Sequence, residues 1–353
     1  MHAAEHDRGQ RGHWLWWGGF LVLAPLHVAG GCLLDPSGPS ARAEATPPGG
    51  QASPEPQPAE IRVATYNVHN LFNDRVDGPN VGGEEIRYTP SAAAYERKLA
   101  RLADALGELR ADVVVLQEVE NQSTLEQLAD QAPLRGRYPN ALLVEGNDLR
   151  GIDVGVLSRL RVDRHRTHRN DRFSLVDSTG GESYRYARDC LEVHLMAGDR
   201  RLIVLAVHFK SHRDDDPDHR LAEAQHTRLI ADRLAEQHAD AAVVIAGDFN
   251  DPPGSDTLAA LGAVPGYDAP AAVGYASVGA WLRSEEQWTT VDPATGRGTL
   301  FDDLLVSPAL YDALDIGSVR ALHETLASGP AGSVSDHAPL VAAFRLDPAG
   351  EGP

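Results

Sequence analysis

Four apolar residues, Val243, Val244, Ile245 and Ala246, stop at Gly247 and hand the chain to Asp248, Phe249, Asn250, Asp251 and two prolines. Three of the four are β-branched, so the run reads as a short buried strand. Alternation along an extended backbone sends Asp248 and Asn250 to one side and turns Phe249 back into the core. A strand running into an Asx-rich turn would use the same residue types. Repetition of the design shifts the balance. IRVATYN ends at Asn67, DVVVLQE at Glu118 and RLIVLAVH at His208, TLFDDLLVS places Asp302 in a strand, and SVSDHAPLVAAF sets Asp336 and His337 just before another. Apolar strands tipped with carboxylate, carboxamide or imidazole build a polar pocket at one edge of a packed sheet, which is how an enzyme site looks in sequence.

Helices are fewer than strands. Tyr95, Leu99, Leu102, Leu106 and Leu109 recur at steps of four and three and predict an amphipathic helix over 91–110. A second helix is expected over 218–237, leading into the Val243 strand. Strand candidates at 152–157, 191–195 and 202–207 follow one another without a helix between them, which disfavours a doubly wound parallel sheet. Two stacked mixed sheets with helices outside fit better. The folded domain is expected over 61–346, and the tail 347–353 has no large apolar residue with which to extend it.

Charge bears on partners. The net charge of −19 leaves no footprint for tight, salt-sensitive binding of nucleic acid, and no basic stripe for a polyanion is evident on this reading. The amino terminus reads as a targeting segment over 1–32: Arg8 and Arg11 precede an apolar run, 14–28, too short and too interrupted for the roughly 20 residues of a spanning helix. Ala29, Gly30 and Gly31 directly before Cys32 resemble a bacterial lipoprotein signal, in which that cysteine would carry lipid, although Ala29 stands where leucine is usual. An uncleaved anchor and ordinary cleavage near Ala41-Arg42-Ala43 are the competing readings. Residues 33–60 are expected to be a linker, since seven prolines fall within 35–60. Only Cys32 and Cys190 are present, so no internal disulfide is expected if Cys32 is acylated or removed.

NVHNLF, LQEVEN, RGIDVGVLSR, VHFKS, AGDFND, FDDLLVS and VSDHAP, in this order, resemble the endonuclease/exonuclease/phosphatase superfamily that includes deoxyribonuclease I, and among its branches the bacterial secreted or membrane-attached nuclease-like proteins. The resemblance runs from Ile61 to Phe344 and implies a four-layer αββα sandwich of two mixed β-sheets flanked by helices, with divalent-metal-dependent hydrolysis of phosphate esters. Beside it, the chemistry of Glu118 and Asp336 is that of hard oxygen ligands suited to Mg²⁺ or Mn²⁺, with Ca²⁺ a third candidate, rather than zinc.

By similarity, Glu118 is the central metal ligand, Asn67 helps to hold the metal or its phosphate, Asp248 orients and deprotonates the attacking water, and Asn250 binds a phosphate oxygen or that water. His337 corresponds to the family's histidine after aspartate, Asp302 to the carboxylate that fixes its tautomer and raises its pKa, and His208 to a histidine near the leaving oxygen. For any one of these, a satisfied structural residue is the alternative. In register with the others, that alternative weakens most for Asp248, Asn250, Asp336 and His337. Arg150 with Asp153 is as consistent with a structural ion pair as with substrate contact. Lys210 and the acidic stretch 212–219 read as solvated, and Asp303 should face away from Asp302. The expected substrate is a phosphodiester, first of all nucleic acid, cleaved outside the cytoplasm by a monomeric, lipid-anchored enzyme. The same chemistry on phospholipid headgroups or small phosphate esters is the second hypothesis, and a non-catalytic binding lipoprotein the third.

Overall fold

The computed structural model describes residues 59–76, 89–176, 182–238, 241–262, 274–292, 294–326 and 334–346. The segments 1–32 and 347–353, Cys32, and all but the last two residues of 33–60 lie outside these.

The first half of the chain runs through β1 (Ala59–Leu71), α1 (Ala92–Leu109), β2 (Val113–Val119), α2 (Gln122–Ala129), β3 (Asn140–Leu143) and β4 (Asp153–Ser158). Then come β5 (Arg161–Thr167), β6 (Cys190–Ala197), β7 (Arg200–His208), α3 (Pro217–Gln237), β8 (Ala242–Asp248) and α4 (Asp256–Ala260). The last part holds the short strands β9 (Ala276–Ser277), β10 (Thr290–Val291) and β11 (Gly298–Thr299), then β12 (Asp302–Val306), α5 (Pro308–Tyr311), β13 (Leu314–Ala321) and β14 (Leu340–Leu346). The first strand begins two residues before the expected boundary because Ala59 and Glu60 pair with Leu346 and Arg345.

Two six-stranded mixed sheets result, ordered β13-β14-β1-β2-β4-β3 and β5-β6-β7-β8-β12-β9. Each has one parallel pair, β1 with β2 and β7 with β8. A parallel pair needs a crossover, and the long helices α1 and α3 supply it, so both pairs deliver their carboxyl ends to the same edge of their sheet. The inward faces pack as one core of valine, leucine and alanine from both sheets, including Val63, Val115, Val204 and Val244. α1 covers the first sheet through Leu99, Leu102 and Leu106, and α3 covers the second through Ile230 and Leu234. This is the expected four-layer arrangement.

Helix ends are set locally. Ser91 caps α1 by accepting from Ala94 N–H, and Arg110 closes it in the left-handed region at φ 49°. Asp216 caps α3 ahead of Pro217, so part of the acidic stretch expected to be a solvated loop is a helix start.

Candidate active site

Gly247 explains how the tips of β7 and β8 can lie side by side. Its φ is 155°, and a Cβ added there would stand 1.9 Å from the carbonyl oxygen of Val207. Only glycine allows this approach, which sets His208 directly opposite Asp248. On the other flank β12 pairs antiparallel with β8 and places Asp302 opposite the same Asp248. Two residues on, Asn250 turns at φ 52°, a conformation asparagine tolerates, and its backbone N–H donates to Asp248 Oδ1 at 2.8 Å.

The facing sheet contributes β1. Asn67 Nδ2 donates to Asp248 Oδ2 at 3.0 Å across the inter-sheet space, and Asn67 Oδ1 accepts from His69 N–H at 3.0 Å. Ser335 locks the last turn to this strand, donating to Asn67 O at 2.6 Å and accepting from His337 N–H at 3.1 Å. His337 thereby reaches Asp302, Nδ1 to Oδ2 2.6 Å, while its Nε2 lies 4.0 Å from Asp248 Oδ2. His208 Nε2 approaches the same oxygen at 3.6 Å. Asn67, His208, Asp248, Asn250, Asp302 and His337 are all buried, and they form one floor.

Glu118 and Asp336 form an open rim beside it. β2 shifts register against β1 between Asn67 and Leu71 and against β4 between Leu116 and Val119, and Glu118 sits in the left-handed region at φ 65°. Such irregularities re-aim a side chain at a strand end. Glu118 Oε2 accepts from Asn70 N–H at 2.7 Å, and Oε1 carries no hydrogen bond among the described residues. Asp336 pairs with His69, Oδ1 to Nδ1 3.3 Å, and both are about half exposed. His69 and Asn70 both have positive φ, at 51° and 54°, and Lys98 on α1 holds this strained turn by donating to the carbonyls of His69 and Asn70.

Charge is distributed unequally over the floor. Burial works against a charged His337, but Asp302 outweighs it, with Asp248 and Asp336 adding, and the imidazolium is held up to about 10. Burial and then the Asp302 charge push Asp248 upward, against His337 and the Asn67 amide. Burial drives His208 well below the usual histidine range, with Arg188, His337 and Arg150 repelling its proton, so it is neutral. Lys98 falls to about 8 through burial, although Glu118 and Asp336 pull it back. Among the described residues, Asp248, Asp302 and His337 bring one potential ligand atom each within 4.8 Å of one another. The 2.6 Å separation of His337 and Asp302 is a hydrogen bond, which puts a proton rather than a cation between them. The rim fits a hard cation better: two carboxylates open to solvent, one of them with an uncommitted oxygen.

The remaining expectations divide. Arg150 pairs with Asp148, Nε to Oδ1 3.2 Å, rather than with Asp153. Asp153 instead accepts from Gly146 N–H at 2.7 Å, and burial pushes it up to about 7. Lys210 is folded onto the carbonyls of Ser211, Arg213 and Asp214. Asp303 faces away from the floor as expected, accepting from Ser277 Oγ and Gly279 N–H. The Asn250 amide, expected on substrate or water, donates to Phe209 O at 3.1 Å. Nothing in the sequence singles out Lys98, which stands three residues after Tyr95 among the cations Arg97 and Arg101 of α1. Nor does it mark Arg188, which ties Phe209 O at 2.9 Å to Asp148 at 3.1 Å near His208.

Comparison with known proteins agrees with this architecture. No curated protein sequence matches the chain significantly. Among solved structures, truncated TDP2 of Caenorhabditis elegans is similar at 16% identity and TM-score 0.53, over 81% of this chain and 97% of that one. An endonuclease/exonuclease/phosphatase from Bacteroides vulgatus matches at 18% identity and TM-score 0.51, over 82% and 99%. TDP2 of D. rerio complexed with a single-strand DNA product matches at 17% and 0.50, over 81% and 99%. At these identities the likeness shows the fold. The sequence profile of the Endonuclease/Exonuclease/phosphatase family matches residues 62–318, most of the chain. The chain therefore belongs to the endonuclease/exonuclease/phosphatase family of divalent-metal-dependent phosphate-ester hydrolases.

Proposed function

We propose that the protein is a phosphodiesterase that cleaves nucleic acid by attack of a water activated at Asp248. The observation that carries this reading is the convergence of Asn67, His208, Asp302 and His337 on one carboxylate from four separate segments. Asp248, raised by burial and by Asp302, is a base matched to neutral pH. Asn67 Nδ2 and the Asn250 N–H hold one oxygen each and fix the direction in which the carboxylate accepts a proton. His337, kept cationic by Asp302, offers its Nε2 proton to a phosphoryl oxygen, where negative charge builds as the bond to water forms. Neutral His208 stands on the other side of Asp248, within reach of a second substrate oxygen. Glu118 and Asp336 would hold Mg²⁺ or Mn²⁺, which when bound supplies charge neutralisation at the phosphate.

Nucleic acid is favoured over headgroup or small-ester substrates by one comparison, the TDP2 structure that holds a single-strand DNA product. We place the enzyme outside the cytoplasm, anchored as a monomer through lipid on Cys32, on the residues that precede that cysteine. The test of substrate is a panel of plasmid DNA, RNA, sphingomyelin, inositol phosphates and bis-p-nitrophenyl phosphate with Mg²⁺, Mn²⁺ or Ca²⁺ and an EDTA control. Hydrolysis of DNA or RNA that stops in EDTA is expected. Turnover of sphingomyelin or inositol phosphates without any cleavage of nucleic acid would overturn the assignment.

A further inference from the structure

The strand β5 and the loop after it have the opposite charge to the rest of the molecule. Residues 159–172 hold six arginines and two histidines against two aspartates, in a chain of net charge −19. β5 is an edge strand, and Arg161, Arg164, His165 and Arg166 are exposed on it. Charged side chains on an edge guard against strand pairing between molecules, and solvated arginines alone would serve that purpose. A second observation asks for more. Arg164 and Arg166 line a cavity of about 470 Å³ that opens between β5 and the end of α3, where Arg233 joins them over an apolar floor of Ile230 and Leu234.

The acid in this cavity does not neutralise the arginines. Glu192 has its two oxygens engaged by His168 at 3.1 Å and His194 at 2.6 Å. Among the described residues neither Arg166 nor Arg233 has a carboxylate partner, and Arg164 meets the ring of His238 at 3.0 Å instead. A recess lined by uncompensated guanidinium groups is built for an anion, and guanidinium matches phosphate by paired hydrogen bonds.

Register places the recess relative to the floor. Arg166 opposes Glu192, Glu192 opposes Leu205, and Leu205 opposes Ile245, three residues before Asp248. Within the plane of the sheet, three strand spacings and three residues along a strand make about 17 Å. The recess opens on the face covered by α3 and Asp248 on the inter-sheet face, so a polynucleotide joining them passes over the sheet edge where β5 ends. Arg169 and Arg172, in the loop that follows β5, continue the positive charge toward the edge at which Asp248 lies.

We infer that the β5–α3 cavity is an anchoring site for a backbone phosphate of a polynucleotide whose scissile bond lies at Asp248. This rests on the nucleic-acid reading above and extends it. A recess selects a strand over a flat anionic membrane, because the exposed Glu236 of α3 and Asp163 of β5 would repel a continuous negative plane yet leave room for a single chain.

The test is the Arg166→Ser/Arg233→Ser variant of the full-length chain, shown to keep its melting temperature. Binding of a labelled single strand of about twelve nucleotides is measured in EDTA, so that affinity is read without cleavage. Each phosphate contact contributes about 0.7 to the salt slope on single strands. Loss of the one anchored phosphate should lower the slope by about 0.7 and weaken binding about fivefold at ~0.1 M salt. With metal present, kcat/KM on that strand should fall in proportion, while a dinucleotide and bis-p-nitrophenyl phosphate, too short to reach the cavity, should be turned over as before. Unchanged affinity and slope would overturn the inference, as would lost binding to phosphatidylserine vesicles with oligonucleotide binding intact. Failure of the wild type to cut DNA or RNA would overturn the substrate reading instead, and the binding arm in EDTA tells the two failures apart.

Discussion

Replacing Asp302 with asparagine removes one charge from the buried floor while keeping an acceptor opposite His337 Nδ1. In the native protein burial disfavours the imidazolium, and Asp302 at 2.6 Å outweighs burial and holds it to about 10. A hydrogen bond to a charged group is worth about 1.5–3 kcal/mol, roughly one to two pKa units. The variant should therefore bring His337 down to about 8–9. The same charge, after burial, raises Asp248, so Asp248 should fall as well. His337 works as the cation, and activity declines as pH rises through its pKa. Asp248 works as the base, and activity declines as pH falls through its own. Both limbs of the rate profile should thus move to lower pH together. Stability follows the same sign. A histidine raised from 6.5 to about 10 contributes fully below 6.5 and loses that contribution as pH climbs through about 10, a window that should close earlier in the variant. The assay is kcat/KM for bis-p-nitrophenyl phosphate in saturating Mg²⁺ across the accessible pH range, with histidine NMR titration in EDTA as a metal-free check. A folded variant whose alkaline limb stays in place, or whose limbs move in opposite directions, refutes the argument.

Asp248→Asn and His337→Ala should each lower turnover by about 10²–10⁴ with circular dichroism unchanged, and the double variant should be little worse than the poorer single one. Glu118→Gln should instead raise the Mg²⁺ or Mn²⁺ concentration needed for half-maximal rate, read by metal titration, and recover part of its activity at high metal. Gly247→Ala forces a Cβ to within 1.9 Å of Val207 O, and thermal melts should show a loss of at least ~2–4 kcal/mol. Cys32→Ser should move the protein out of the membrane fraction; mass spectrometry that finds an unmodified amino terminus at Ala43 or Met1 in the wild type excludes the lipid anchor.

The floor was readable because its members stand where apolar strands end, and burial of the strand leaves no other place for Asp248, His208 or Asn67. Their interplay was not. Asn67 spends both ends of its amide inside the protein, on Asp248 and His69 N–H, which depends on a turn with two positive φ values that no periodicity announces. Lys98 acts through α1 on a turn 29 residues earlier, a contact set by packing. β5 escaped notice for a different reason: RVDRHRT has no apolar alternation, since an edge strand needs only one side chain, Val162, against the core. Its arginines were hidden by averaging charge over the whole chain.

Pairing of β1 with β14 has a temporal consequence. Asn67 bonds a side chain 181 positions later with its amide and one 268 positions later with its carbonyl. At roughly 5–20 residues per second, about 15–50 s of translation separate Asn67 from His337. Over the last part of that interval, once Asp248 has been made, the nascent chain holds the base without its cation and β1 without β14. A copy that stops before His337 lacks the cation that faces Asp248, so the strand that closes the sheet also completes the chemistry.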